Sequence, residues 1–298
     1  MYSLVTACMN REAHLRQSLQ SWLTLPGLGE VVIVDWTNSR PLCELCQLDG
    51  RIRVVRVEEE PRWILSYAYN LGVSSASHEH ILKCDADCMP TAEATACVPG
   101  SDFFHAGYWK SGHLHGKPSV NGQCSFSKTQ FDTVHGYSEY IRTYGRDDED
   151  FYDRMIAAGF ARREIIPEHL NFIHHGDEER TSNQFAAAKA PSLEETILRH
   201  PSYNEMFNLY LSRTLPWSRA CSKARFTSIE KGNGWERVRR ERDSELPIPE
   251  PVRAQARVFA LQRIVVQTLK LSENAAQRLD EKSCLALLKN RSRAPQAK

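Results

Sequence analysis

The chain has 298 residues, of which 41% are hydrophobic and 25% charged, an ordinary composition for a soluble globular protein. No stretch approaches the ~20 apolar residues that a membrane-spanning helix needs. The formal net charge is only +1, but from Ser192 onward there are 20 Lys/Arg against 12 Asp/Glu, and before it 18 against 25.

Met1 leads directly into Ser3–Thr6, which reads as a strand with no export signal ahead of it. The nine cysteines are scattered and odd in number, so the expectation is reduced thiols in a cytoplasmic protein. Cys43-Glu44-Leu45-Cys46 is a lone CxxC pair, and a structural zinc would want two more ligands. Further strands are expected at Glu30–Asp35, Ile52–Val57 and His80–Cys84, as short β-branched runs bounded by turns. Between them, Glu12–Leu25 and Trp63–Ser75 carry apolar residues at helical spacing. This order predicts a doubly wound α/β sheet with ligands at the carboxyl ends of its strands.

Farther along, Asp102–Trp109, Ser119–Ser127 and Arg162–Ile166 read as strands, and Asp147–Gly159 as a helix. After Pro191 the pattern turns helical and basic: Ser192 and Glu195 have capping-box spacing, and the prolines of 247–251 break the chain before a helix over Val252–Leu271. Two units are therefore expected, an α/β domain over 1–190 and a basic, mainly helical extension over 191–298.

The strongest local chemistry is Ile81-Leu82-Lys83-Cys84-Asp85-Ala86-Asp87, an apolar strand ending in two carboxylates one residue apart. Carboxylates in that place suit a hard divalent cation bridging a substrate diphosphate. A second acidic cluster, Asp147-Asp148-Glu149-Asp150, exceeds what a helix dipole asks for, and mutual repulsion should raise at least one pKa, as a general base requires.

In order, Thr6-Ala7-Cys8-Met9-Asn10-Arg11, Asp35-Trp36-Thr37-Asn38-Ser39, Ser66-Tyr67-Ala68-Tyr69-Asn70-Leu71-Gly72 and Asp85-Ala86-Asp87 resemble the opening half of family 2 glycosyltransferases. Three positions depart from that pattern: the first turn lacks its proline, Trp36 replaces an acidic residue and Tyr69 replaces an arginine. Gly122–Lys128, His135-Gly136-Tyr137-Ser138-Glu139 and Tyr144-Gly145-Arg146-Asp147-Asp148-Glu149-Asp150-Phe151 look like a segment of the beta-galactosyltransferases and of bacterial chondroitin-type polymerases. The resemblance spans about Ser3 to Asp177.

It implies a GT-A (Rossmann-like) mixed sheet flanked by helices, and a metal-dependent, inverting glycosyltransferase using a nucleotide-sugar donor, commonly a UDP-sugar, and a glycan or other hydroxyl acceptor. By resemblance Asp148 is the catalytic base and Asp147 holds the acceptor. Thr6, Asn10, Arg11, Asp35, Asn70, Asp85 and Asp87 would bind the donor. Asp87, with Asp85 and a histidine of the pair His174-His175, His175 by spacing, would hold Mn²⁺ or Mg²⁺. A nucleotidyltransferase would usually bring a glycine-rich basic loop after the first strand, and Thr6–Arg11 contains no glycine. A non-catalytic nucleotide-sugar-binding protein would have little use for the Asp147-Asp148 pair. No GxGxxG follows the first strand and Gly116-Lys117-Pro118 is not a Walker sequence, against dinucleotide oxidoreductases and P-loop enzymes. The tail's stripe of Val258, Leu261, Val265 and Leu269 suits packing on the catalytic domain, while its basic residues leave contact with a membrane surface, a protein or nucleic acid open.

Overall fold

The computed structural model describes residues 1–107, 121–174 and 192–293. The first half alternates β1 (Tyr2–Cys8), α1 (Glu12–Trp22), β2 (Leu28–Trp36), β3 (Ile52–Glu58), α2 (Leu65–Ser75) and β4 (His80–Lys83). The strands lie parallel in the order β3-β2-β1-β4. The chain winds outward from β1 to β3 and then returns to the other side of β1. A switch point therefore opens where the carboxyl ends of β1 and β4 diverge, the usual place for a ligand in such a sheet.

Next come β5 (Cys88–Pro90), β6 (Asp102–Ala106), β7 (Cys124–Ser127), α3 (Lys128–Thr133), α4 (Asp147–Ala157), β8 (Ala161–Ile165) and β9 (Leu170–Phe172). β7 joins β4 antiparallel, β6 joins β7 antiparallel, and β8 closes that edge parallel to β6. β5 and β9 form a separate antiparallel pair. The strand expected to reach Trp109 ends at Ala106 among the described residues, and Trp109 itself lies outside them.

The core has a layer on each face of the sheet. Leu15, Leu19 and Trp22 of α1 bury one face, and the Trp22 indole N–H donates to the Cys88 carbonyl at 2.8 Å, fixing β5 beneath the helix. Tyr67, Ala68 and Val73 of α2, with Phe131 and Phe151 from α3 and α4, bury the other.

The tail, expected to be mainly helical, also carries strands. Phe226–Gly232 and Trp235–Arg240 form a hairpin, β10 and β11, and β11 lies parallel to β3, extending the central sheet to nine strands among the described residues. The signal was present in Asn233-Gly234, a two-residue turn with Gly234 at φ +80°. It was masked because the strands carry charged residues where a buried strand would be apolar. Those charges face an acidic stretch: Arg237, Arg239 and Arg240 pair with Glu58, Glu59 and Glu60, each at 2.8 Å.

The helices Leu193–Arg199, Pro201–Thr214, Glu250–Leu269 and Glu281–Arg293 surround a second small core that includes Tyr203, Leu261, Val265 and Leu285. Ser192 and Glu195 form the expected capping box. Here too basic residues meet carboxylates of the same chain, as in Arg263 with Glu273 at 2.7 Å and Lys289 with Glu194 at 3.3 Å. Part of the acidic-front, basic-tail asymmetry is thus internal complementarity. Among the described residues no helix is long and apolar enough to cross a membrane.

Candidate active site

At the carboxyl ends of β1 and β2 the backbone is laced by side chains. Asp35 is fully buried, and its carboxylate accepts from the Asn38 amides, from Leu42 N at 2.9 Å and from Arg56 Nη1 at 2.8 Å. Asn38 donates to the Cys8 carbonyl at 2.8 Å and accepts from the backbone N–H of Asn10. Asn10 sits at φ +56°, a left-handed conformation that asparagine tolerates better than most residues. Asp35 therefore positions the loop, with both carboxylate oxygens engaged inside the protein. Thr6 is also enclosed: β1 runs on to Cys8, so Thr6 lies in the sheet interior rather than at its end. Of the residues expected to face the donor at this edge, Asn10 is exposed and Arg11 is half-buried.

Across the switch point, Arg11 Nη1 donates to Asp87 Oδ2 at 3.3 Å. Asp85, two residues earlier, is held by Tyr69 OH at 3.0 Å on Oδ1 and by Gln123 Nε2 at 2.8 Å on Oδ2, while its own N–H donates to Gln123 Oε1. Burial pushes the Asp85 carboxyl up, but the Lys83 ammonium, Tyr69 and Gln123 outweigh it and hold its pKa below the usual value.

Lys83 is the junction of the site. Its Nζ lies 3.3 Å from Asp85 Oδ1 and 3.2 Å from Asp148 Oδ1, so the two acidic clusters, about sixty residues apart in sequence, share one cation. Gly122 lies between them, and a Cβ there would come within 2.7 Å of Asp85 Oδ2 and 3.3 Å of Asp148 Oδ2.

The acidic run itself divides. Asp150 pairs with Arg154 at 2.8 Å, and Arg154 also donates to the carbonyls of Val134 and Gly136, which makes Asp150 structural. Glu149 accepts from Asn121 at 3.0 Å. Asp148 accepts from Tyr137 OH at 3.1 Å, and its pKa is pushed up to about 6, first by burial and then by Asp85 and Glu149, against the pull of Lys83. Asp147 is raised well above the carboxylate range by burial and by its neighbours Asp148 and Glu149. Repulsion within the run acts in the expected direction, but burial is the larger cause.

Asn70, expected at the donor, works elsewhere. Its amide donates to Tyr137 O at 3.0 Å and Glu139 Oε1 at 2.9 Å, and its oxygen accepts from Tyr137 N at 2.8 Å. It fixes the residue whose hydroxyl holds Asp148. Trp36 is completely buried, edge-on to Trp63 and to Phe226 of β10. The hairpin thus provides the partner for this apolar replacement of an acidic position.

The β5–β9 ladder brings the histidine segment to the carboxylates. Ile173 N donates to Asp87 O at 2.9 Å, and His174, which is exposed, follows. His175 lies outside the described residues. Among the described residues no cluster of three or more His, Cys, Asp or Glu side chains forms a cation site, and Cys43 and Cys46 are free thiols. The donor chemistry nevertheless fits a hard divalent ion. Asp85 and Asp87 are oxygen donors of the kind such an ion takes, each with a cation of the chain beside it, Lys83 and Arg11.

Lys83, Tyr137 and Gln123 were missed as site residues. For Lys83 a signal existed: a lysine inside an apolar strand needs a buried partner.

Residues 104–176 match the family model described as the N-terminal domain of galactosyltransferase. Among curated proteins none matches. The fold is similar to that of the catalytic domain of Drosophila beta1,4-galactosyltransferase 7 in complex with xylobiose, with a TM-score of 0.50 and 14% identity over 80% of this chain and 94% of that one. A mutant of that Drosophila enzyme, in complex with manganese, UDP-Gal and xylobiose, gives a TM-score of 0.49 at 14% identity, covering 80% of this chain and 92% of that one. The expected GT-A fold is borne out.

Proposed function

We propose that this chain transfers a sugar from a nucleotide diphosphate donor, a UDP-sugar, to a hydroxyl of a glycan acceptor, inverting the anomeric centre, in polysaccharide or glycoconjugate synthesis in the cytoplasm. The observation that carries this reading is the meeting of Asp85 and Asp148 on Lys83, at 3.3 and 3.2 Å, which supports a diphosphate-side carboxylate and a base acting in one pocket. The galactosyltransferase segment at 104–176 supports the reaction class. Xylobiose in the Drosophila enzyme of similar fold supports a sugar hydroxyl as acceptor.

In this reading Arg11 and Asn10 face the donor at the end of β1. Asp87, with Asp85 and His175, would hold Mn²⁺ or Mg²⁺, which when bound neutralises charge on the diphosphate. Asp148 takes the proton from the acceptor hydroxyl as that oxygen bonds to the anomeric carbon. The bond from that carbon to the diphosphate oxygen breaks on the opposite face, and its electron pair leaves with the nucleotide. A carboxyl with a pKa near 6 is ionised at neutral pH yet more basic than an ordinary aspartate. Asp147, whose carboxyl is pushed up by burial and by Asp148 and Glu149, would hold the acceptor hydroxyl.

A screen of nucleotide sugars for hydrolysis and transfer, with Mn²⁺, with Mg²⁺ and with chelator, tests the proposal. Cation-dependent consumption of one class of nucleotide sugar is expected. No turnover of any nucleotide sugar with either cation, by folded protein offered a panel of glycan acceptors, would contradict it.

A further inference from the structure

Strand β4 is His80-Ile81-Leu82-Lys83, and the Lys83 side chain is completely enclosed. A buried ammonium survives only with partners, and replacing such an ion pair by apolar residues is often neutral or stabilising. Fold stability alone therefore gives little reason for a lysine here. Its partners are all parts of the site: the Gly122 carbonyl, Asp85 Oδ1 at 3.3 Å, Asp148 Oδ1 at 3.2 Å and the face of the Tyr69 ring at 4.4 Å.

We propose that Lys83 is a positioning residue for glycosyl transfer, tying the carboxylate at the end of β4 to the base in the first turn of α4. The proposal rests on the glycosyltransferase reading above. Lys83 and the Tyr137 hydroxyl both engage Oδ1 of Asp148. Oδ2 takes part in neither contact and is the oxygen left to receive the acceptor proton. Tyr69 completes the cradle, with its ring against the ammonium and its hydroxyl on Asp85 at 3.0 Å.

The test is a cycle of Lys83→Met, Asp148→Asn and the double variant, reading kcat and donor KM. Lys83→Met should lower kcat about 100-fold with donor KM unchanged within about threefold. Added to Asp148→Asn, it should change the residual turnover by less than about threefold, because the two residues act as a unit. If Lys83→Met does not fold, Lys83→Arg carries the test, because it keeps the charge but not the compact point contact; about a tenfold loss in kcat at constant KM is expected. Independent, multiplicative losses in the cycle, or full turnover in either single Lys83 variant, would overturn the proposal. Full turnover in Asp148→Asn would instead remove the base assignment beneath it. Loss in Asp148→Asn with wild-type kcat in Lys83→Met would sink the Lys83 role alone.

Discussion

The side-chain amide of Asn208, in the tail helix Pro201–Thr214, donates to the carbonyl of Gly145 at 2.8 Å and reaches those of Tyr144 and Thr143 at 3.1 and 3.2 Å. These carbonyls lead into α4, through Gly145 at φ +88° and Arg146 at φ +69°. The left-handed arginine is an unfavourable conformation, and Asn208 helps to hold the turn that delivers Asp147 and Asp148. The tail is therefore part of the scaffold of the site.

Asn208→Ala should leave three loop carbonyls without this donor and cost about 1–3 kcal/mol of stability. Because the loop sets the base, kcat should also fall about tenfold or more while donor KM is unchanged. Thermal unfolding and steady-state kinetics of the same preparation check both parts; a wild-type kcat would show that the loop needs no such support.

The pH dependence follows from Asp148. Its pKa, pushed up to about 6, means that the folded protein carries the group protonated below that value and ionised above it. As the proposed base, Asp148 must be ionised to act, so kcat/KM should rise about tenfold per pH unit up to about 6 and then level off. A profile that is flat between roughly pH 5 and 7 would place the base elsewhere.

Gly122→Ala is a steric probe of the junction. The new methyl would stand 2.7 Å from Asp85 Oδ2, 3.1 Å from Lys83 Nζ and 3.3 Å from Asp148 Oδ2, so the cluster must shift. Turnover should drop about 100-fold, since small displacements of reacting groups are that costly. Gly50→Ala, where a Cβ meets nothing within 4 Å, is the control and should retain full activity.

The hairpin offers a test of stability. Arg240 and Glu60 are paired at 2.8 Å with side-chain exposures of 3% and 4%, whereas Arg239 and Glu59 pair at exposures of 54% and 62%. Glu60→Ala should cost up to about 3–5 kcal/mol, because it leaves the buried Arg240 guanidinium only Glu245, at 3.4 Å, as a carboxylate partner. Glu59→Ala should cost about 1 kcal/mol or less. Denaturant midpoints of the two variants decide whether the hairpin is docked through the buried pair.

Much of the architecture was legible in the sequence. β1 to β4 appeared as short apolar runs, and the Asp85-Ala86-Asp87 and Asp147-Asp148 clusters stood out at the ends of elements. What could not be read was which side chains close on one another across long separations. Asp35 and Asn70 sit at motif positions, yet their polar atoms turn inward to Arg56 and Tyr137. Trp36 looked like a departure from pattern until Phe226, from a strand almost two hundred residues later, supplied its packing partner. The β11 strand was hidden because its arginines match the acidic residues Glu58 to Glu60, and that complementarity exists only once both segments meet.

The most direct measurement separates donor grip from proton removal. Calorimetric titration of a UDP-sugar with and without Mn²⁺, paired with turnover, should be made on Asp87→Ala and Asp148→Asn. Asp87→Ala is expected to lose cation-dependent donor binding. Asp148→Asn is expected to bind donor as the unaltered protein does and to fail at transfer. Wild-type turnover by an Asp148→Asn protein that binds donor normally would contradict the account.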